Sequence, residues 1–213
     1  MILREVADIL IRSVSAAVNT NDGRYDPIYV EKLIPQLREQ AAKIDYFGDR
    51  SRAATRRIDY SLTQQFTVTR DANQDNDLDY ITFTVPKPMS IGRVVDGLVY
   101  VGSKDKSYNF SKLMNREDAA NMAKRGVFNG KMIGYWWENP NKLLFIGNKM
   151  LQEVNVRGVL SDPTQAPAFL IESHDYPISE TILAIMIELF KANQNVNINR
   201  PTDIVEDGKE TIR

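Results

Sequence analysis

The chain has 213 residues, 43% hydrophobic and 26% charged, a balance that is typical of globular proteins and argues against wholesale disorder. Its 27 basic and 28 acidic residues give a net charge of -1, which argues against a protein that coats nucleic acid with its whole surface. The absence of cysteine excludes disulfides, cysteine nucleophiles and cysteine-ligated zinc. Charges interrupt the N-terminal apolar run, and no stretch reaches the roughly 18 consecutive apolar residues of a membrane span. We therefore expect a protein of the cytosol, or of a particle assembled there, without a membrane partner.

Two helices are predicted at the start of the chain. The first has a stripe of apolar residues at helical spacing: Leu3, Val6, Ala7, Leu10, Val14, Ala17 and Val18. The second begins with Asp26 as N-cap and Pro27 at the first position, and Gly48 is a natural end. Pro35 cannot donate to the carbonyl of Glu31, which predicts a kink or break. Because the connection is short, we expect the two helices to pack as an antiparallel hairpin.

After about residue 60 the hydrophobic period changes to that of a strand. Strand patterns occupy residues 62–68 and 80–85, and the polar segment 71–79 between them is typical of a hairpin loop. A short helix capped by Asn115 is predicted through residue 124. Further strands are predicted at 94–101, 131–137, 142–147 and 153–160, with a turn signal at 139–141.

The last predicted helix, residues 180–192, is unusually apolar. Seven of its residues cover an arc of roughly 200°, about twice what a helix packed on one neighbour needs. They are Ile182, Leu183, Ile185, Met186, Ile187, Leu189 and Phe190. The excess indicates a second contact surface, either within the same domain or on another subunit. We expect Ile182, Met186 and Phe190 to be buried in subunit or scaffold packing.

These patterns predict an α+β protein. Residues 1–60 and 176–194 would form a helical scaffold, a bundle made of the N-terminal helix hairpin and the C-terminal helix. Residues 61–175 would form an inserted β-rich domain, an antiparallel sheet or sandwich with one short helix. Residues 195–213 have little periodicity and would form an extended C-terminal arm.

Two segments are candidates for a metal or catalytic site. In residues 71–79 (DANQDNDLD), oxygen-bearing side chains alternate as they do at the start of a calcium loop. However, Asn76 replaces the turn glycine and Thr82 replaces the bidentate glutamate, so a solvated loop is the alternative interpretation. The single histidine, His174, precedes Asp175, but neither a second histidine nor a nucleophile motif accompanies it. We therefore assign no catalytic residue, metal ligand or cofactor and do not expect an enzyme.

Two other groups are candidates for contacts with partners. The densest basic stretch contains Arg50, Arg52, Arg56 and Arg57. These side chains could contact phosphates without reading bases, although Asp49 and Asp59 flank them and a solvated connection is the alternative. Trp136 and Trp137 are neighbours on a predicted strand, so they should face opposite sides of the sheet. One would pack in a core, and the other is an interface candidate.

A longer pattern covers the last third of the chain. A strand ends in Val156-Arg157-Gly158-Val159-Leu160 and is followed by the turn Ser161-Asp162-Pro163. A short loop with Pro167 and Phe169 then leads to Tyr176-Pro177-Ile178-Ser179 and the apolar helix. This arrangement resembles the C-terminal part of head-to-tail connector proteins of tailed bacteriophages. It is most similar to the ring or adaptor proteins of crAss-like phages, which infect gut Bacteroidetes, and the order of helices, β insert, closing helix and tail is similar too.

The resemblance implies a structural virion protein of the phage neck, assembled in the host cytoplasm. It implies a homo-oligomeric ring, a dodecamer, that binds the portal protein and the next neck or tail ring. Double-stranded DNA would pass through the ring without sequence-specific contacts, and the four arginines are candidates for the channel wall. A near-neutral charge suits such a channel, because a strongly cationic wall would hold DNA. The alternatives are a gatekeeper-like ring, a cell-wall hydrolase with paired carboxylates, and a nucleic-acid binder with a basic patch.

Overall fold

The computed structural model describes residues 1–15, 25–48, 59–72, 80–90, 97–124, 132–138 and 141–198. Within these ranges the protein is mixed α+β, with four α-helices and two sheets in which antiparallel pairing predominates. The helices are α1 (Leu3–Ser15), α2 (Pro27–Gly48), α3 (Arg116–Lys124) and α4 (Glu180–Ile198). The strands are β1 (Gln64–Thr69), β2 (Ile81–Thr84), β3 (Leu98–Ser103), β4 (Ser111–Lys112), β5 (Gly134–Glu138), β6 (Lys142–Ile146) and β7 (Glu153–Gly158). No helix of the described residues is both long enough and apolar enough to cross a membrane.

Side-chain caps explain where two helices begin. The carboxylate of Asp26 accepts a hydrogen bond from the backbone N–H of Ile28 (3.0 Å), at the start of α2. The side chain of Asn115 accepts from the N–H of Asp118 (2.8 Å) and caps α3 in the same way. Both predicted starts are confirmed.

Of the kink or break predicted at Pro35, the break is wrong, because α2 continues through the proline to Gly48. Buried residues lie on both sides of it, with Ile34 before and Leu37 after. This packing outweighs the loss of one helical hydrogen bond. At the other end of the chain, α4 extends to Ile198 and therefore reaches four residues into the predicted C-terminal arm.

The strands form a three-stranded sheet in the order β1-β7-β3 and a four-stranded sheet in the order β2-β6-β5-β4. In the first sheet, β7 is central and pairs antiparallel with both neighbours. In the second, β5 and β6 form the predicted antiparallel hairpin, with Tyr135 opposite Phe145. The short β4 pairs with β5 in parallel.

The expected hairpin of β1 and β2 is wrong. Phe66 of β1 lies opposite Val156 of β7, whereas Phe83 of β2 lies opposite Leu143 of β6. The two strands belong to different sheets because alternation fixes which face is buried but not which strand is the partner. Leu62, expected at the start of β1, belongs instead to a 3-10 turn at Tyr60–Leu62.

The buried residues form three clusters. The first joins α1, α2 and α4 and includes Leu10, Ile34 and Phe190. The second lies between the two sheets. The third lies between α3 and the four-stranded sheet and includes Trp136. The first cluster also includes three residues of connecting segments: Met89, Val159 and Tyr176.

Candidate functional site

The guanidinium of Arg38 on α2 is fully buried and hydrogen-bonded to backbone carbonyls of three separate segments. Its Nε donates to Pro177 (2.8 Å), its Nη1 to Leu160 (2.8 Å) and its Nη2 to Leu62 (2.9 Å). These carbonyls belong to the segment before α4, the segment after β7 and the 3-10 turn before β1. One side chain therefore connects the helices to the β region.

The buried surroundings of Arg38 disfavour its positive charge. Burial lowers the pKa of Arg38, and burial raises the pKa of the neighbouring Tyr176 hydroxyl. The arginine Cζ lies 5.8 Å from the centre of the Tyr176 ring. The Tyr176 hydroxyl has no hydrogen-bond partner among the described residues. Because arginine stays protonated in proteins, this site does not transfer protons. Its three hydrogen bonds instead give Arg38 a structural role.

Sequence reasoning missed Arg38, although a signal was present. Arg38 follows Ile34 by four positions and precedes Ala41 by three, so it lies within the apolar face of α2. A charged residue at the centre of such a face is either buried and paired or disrupts the helix. The carbonyl partners themselves could not be predicted, since they are distant in sequence.

A second candidate site is a groove of about 170 Å³ between α2 and α4. Its lining carries no charged side chain and consists of Tyr29, Leu33, Gln36, Leu37, Gln40, Phe190 and Asn193. Tyr29 is 55% exposed, whereas Phe190 is buried and meets Tyr25 edge to face with ring centres 5.8 Å apart. The amides of Gln36, Gln40 and Asn193 provide the polar groups of the groove.

The groove is part of a largely uncharged stripe along α2, and Lys32 and Lys43 lie beside it at the same helical spacing. The stripe comprises Tyr29, Leu33, Gln36, Gln40, Ile44 and Phe47. Intervals of three and four residues place these side chains on one side of the helix, over a length of about 27 Å. Tyr29, Ile44 and Phe47 are exposed. The stripe therefore combines exposed apolar side chains with the amides of Gln36 and Gln40, which makes it a candidate contact surface.

The loop before α4 carries a third candidate surface, the apolar turn formed by Leu170 and Ile171. These side chains are 59% and 50% exposed, respectively. The Leu170 N–H donates to Nδ1 of His174 (3.0 Å), and the Leu170 carbonyl accepts from the His174 N–H (2.8 Å). The ring of Phe169 contacts the His174 ring edge to face at 5.6 Å. The turn is therefore well defined while its two aliphatic side chains face outward.

Three residues of α4 for which burial was predicted lie buried against α1 and α2: Ile182, Met186 and Phe190. The remaining apolar residues of the arc are half-buried and pack on the same cluster: Leu183, Ile185, Ile187 and Leu189. The chain itself thus covers much of the wide apolar arc but leaves part of each of these four side chains accessible.

The two tryptophans lie on opposite faces of β5. Trp136 is buried in the cluster beneath α3, with its ring centre 5.8 Å from that of Tyr80. Trp137 packs at the edge of the core between the sheets and is half-buried. Trp137 is therefore the more accessible of the two interface candidates.

Several predicted residues lie outside the described part of the chain. These are Arg50, Arg52, Arg56 and Arg57, together with residues 73–79 of the candidate calcium loop. Asp71 is described, and its carboxylate accepts hydrogen bonds from the N–H (3.0 Å) and hydroxyl (3.1 Å) of Thr84. Asp175 pairs with the N-terminal amino group of Met1. Among the described residues there is no cluster of three or more histidine and carboxylate side chains that could hold a metal ion.

A scan against protein-family models found no match, and a search of curated proteins found no similar sequence.

Proposed function

We propose that this protein is a structural connector of a phage neck. Twelve or so copies, a dodecamer by analogy with the phage ring and adaptor proteins, would form a ring between the portal protein and the next neck or tail ring. The proposal starts from the resemblance of the segment from Val156 to Ser179. The structural observation that carries it is the exposure of the apolar side chains Tyr29, Ile44 and Phe47 along α2.

The fold suits this role. In the proposal, α1 and α2 form a hairpin that joins α4 in a helical bundle, and this bundle is the scaffold of the ring. The buried core shared by the three helices supports this arrangement. The β-rich insert, residues 61–175, would then be free to meet the next component of the neck. Residues beyond the end of α4 would add to the portal or to the adjacent ring.

A ring subunit needs two different surfaces that fit each other, because repeated head-to-tail contacts close into a ring. The stripe of α2 and the half-buried flank of α4 provide apolar surface on the scaffold. Apolar contacts of this kind are formed without the desolvation cost of buried charges. The four arginines from Arg50 to Arg57 are proposed for the channel wall, where they would meet DNA phosphates without base-specific contacts.

The decisive experiment is native mass spectrometry of the protein mixed with the portal protein of the same phage, combined with electron microscopy of the mixture. We expect a complex in which a closed ring of this protein sits on the portal. The mixture is the relevant sample because a portal can act as the template on which such a ring closes. Absence of binding to the portal, with the chain monomeric throughout, would contradict the proposal. A ring found elsewhere in the neck would identify the gatekeeper-like alternative.

We propose further that the protein acts without catalysis. A zymogram on peptidoglycan tests this statement against the hydrolase alternative. We expect no clearing by the purified protein. Clearing that a single Asp or Glu substitution abolishes would show a carboxylate-dependent hydrolase instead.

A further inference from the structure

We propose that α3 is a cover that opens as a unit from the four-stranded sheet while the rest of the fold stays intact. In the closed state it lies over an apolar patch of this sheet, which consists of Trp136, Leu144 and Ile146. Opening exposes this patch to solvent. The inference concerns the β region alone and does not depend on the proposed neck role.

The patch lies on the outer face of the four-stranded sheet, away from the core between the two sheets. Trp136 of β5 is directly opposite Leu144 of β6, so both side chains stand on this face. Ile146 stands there too, two positions further along β6. The neighbouring positions on the same face are polar, with Thr82 opposite Leu144 on β2 and Lys142 at the start of β6. The apolar part of this face therefore coincides with the area under α3.

Few side chains attach α3 to the patch. Among the α3 residues whose burial the structure describes, 116–122, only Ala119 is buried and Asp118 is half-buried. Arg116 adds a contact of its Cζ with the Tyr80 ring, 5.0 Å from the ring centre. The helix has nine residues, whereas isolated helices shorter than about 12 residues are marginal in water. The small contact with the sheet is therefore what keeps α3 in place, which makes it a region of low local stability.

A firmly held helix of the same chain differs clearly from α3. The helix α1 buries Val6, Ala7 and Leu10 completely against α2 and α4. Separating α1 breaks up the main helical core, whereas separating α3 removes chiefly the methyl group of Ala119 from its contact. Because the free energy of separation rises with the apolar area that becomes exposed, α3 opens far more readily than α1.

The tryptophan under the cover also favours opening. Trp136 is 3% exposed, and its indole N–H has no hydrogen-bond partner among the described residues. A buried donor without a partner destabilises the closed state, since water can accept its hydrogen bond once the cover has moved. The closed state is therefore held less firmly than a fully satisfied contact of the same size.

The sheet itself remains when the cover opens. On the N-terminal side of α3, the Leu113 N–H donates to the carbonyl of Tyr135 (2.7 Å) and the Ser111 N–H to that of Ile133 (2.9 Å). The opposite face of β5 and β6 packs in the core between the sheets, where Phe145 is buried. The opening is thus confined to the segment after Leu113.

Thiol labelling measures the opening directly, since the natural chain has no cysteine. Three full-length variants each carry one thiol: Ala119→Cys under the cover, Ala7→Cys in the helical core and Ala120→Cys on the exposed side of α3. The probe is an aromatic disulfide reagent in excess. We expect Ala119→Cys to react at least about tenfold faster than Ala7→Cys and at least about tenfold more slowly than Ala120→Cys. A rate within tenfold of either reference would overturn the proposal, because α3 would then be closed as firmly as the core or not closed at all.

A further substitution on the exposed side of α3 tests whether the helix opens by itself. Ala120→Gly lowers helix propensity by about 1 kcal/mol without changing the patch. Added to Ala119→Cys, it should raise the labelling rate about fivefold, whereas added to Ala7→Cys it should leave the rate unchanged. An equal rise in both backgrounds would mean that the thiols are reached by global unfolding, and an unchanged rate of Ala119→Cys would mean that α3 does not control access. Either result would exclude the cover.

Hydrogen exchange of the natural chain tests the same opening without any substitution. We expect the α3 amides to exchange at least about 100-fold faster than those of α1, with a rate that hardly changes in low concentrations of urea. A local opening exposes little surface and therefore has a weak urea dependence. If the α3 and α1 amides exchange with the same rate and the same urea dependence, α3 opens only when the whole protein unfolds and the proposal is wrong.

Discussion

At the scale of single residues, the structure depends on a charged side chain in an unusual place. Arg38 is buried and bonded to three backbone carbonyls rather than to a carboxylate. Its flat guanidinium has five donors in a fixed geometry, which allows it to satisfy several carbonyls at once. The same side chain supports the segment that resembles phage connectors, because two of its acceptors, Leu160 and Pro177, belong to that segment.

We expect Arg38→Ala to lower the free energy of unfolding by at least about 3 kcal/mol, because it leaves buried carbonyls unpaired and creates a cavity. Arg38→Lys should also cost about 2 kcal/mol or more, since a compact ammonium cannot reach three acceptors in this geometry. The control is Lys43→Ala, which removes a partly exposed pair with Glu39 (2.7 Å) and should change stability by less than about 0.5 kcal/mol. Urea unfolding monitored by circular dichroism gives these values. Stability of Arg38→Ala close to that of the natural protein would show that the arginine is not a connection of this kind.

Tyr176 should make the protein less stable in alkali. Burial raises the pKa of its hydroxyl above the ordinary value of about 10. Below that pH both the folded and the unfolded state keep the proton, and above it the unfolded state loses the proton first. Stability should therefore fall as the pH rises from about 10, by at most about 1.4 kcal/mol per pH unit.

The variant Tyr176→Phe should remove this alkaline loss. At pH 7 it should be as stable as the natural protein, or more stable by up to about 1 kcal/mol, because the buried hydroxyl has no hydrogen-bond partner among the described residues. Unfolding curves recorded from pH 7 to 11 test both statements. If Tyr176→Phe loses as much stability in alkali as the natural protein, groups other than Tyr176 cause that loss.

Gly97 is a position where the backbone of two segments comes too close for a side chain. A Cβ atom there would lie 2.3 Å from the carbonyl oxygen of Val159 and 2.9 Å from that of Met89. We expect Gly97→Ala to destabilise the protein by about 2 to 3 kcal/mol, since backbone atoms cannot move aside easily. Gly48→Ala is the matched control because its Cβ would have no neighbour within 4 Å. Equal melting temperatures for the two variants would be inconsistent with this packing.

At the scale of elements, α2 is the helix that carries most of the proposed interface. One face includes Ile34, Leu37 and Arg38 and is buried, whereas another carries the largely uncharged stripe. Packing of the first face keeps the helix continuous through Pro35. The helix therefore carries its stripe on one continuous element, with buried residues on both sides of Pro35.

Replacing Pro35 tests this view of α2. The variant Pro35→Ala restores an N–H that can donate to the carbonyl of Glu31, and alanine has the highest helix propensity. We expect the free energy of unfolding to rise by about 1 kcal/mol or more, measured by chemical denaturation. A loss of stability would mean that the contacts of the half-buried Pro35 ring stabilise the protein by more than the missing helical hydrogen bond costs.

At the scale of the whole molecule, we propose that the ring forms through the largely uncharged surface where α2 meets α4. The groove lining contains aliphatic, aromatic and amide side chains only. Raising the salt concentration from about 0.1 to 0.5 M should therefore change self-association by less than about threefold, and sulfate should strengthen it. Sedimentation velocity measures this dependence. A steep loss of self-association with rising salt, which disappears when the four arginines are replaced by serine, would instead indicate that the basic stretch dominates binding.

Much of the secondary structure was predictable because its causes are local. The caps of α2 and α3, the β5–β6 hairpin and the burial of Ile182, Met186 and Phe190 follow from residues a few positions apart. The groove and the apolar turn were not predictable, since the groove exists only after α2 and α4 have packed. The exposure of Leu170 likewise depends on how its loop lies against the finished core.

By itself, the sequence determined the type and approximate bounds of the four described helices and of most strands, although the short β4 was not predicted. Only the tertiary structure decided that β1 pairs with β7, that β2 lies in the other sheet, and that Arg38 reaches Pro177 across 139 positions. The physical reason is the range of the interactions. Capping and periodicity act between near neighbours, whereas strand partners and buried charges are settled when distant segments exclude water together.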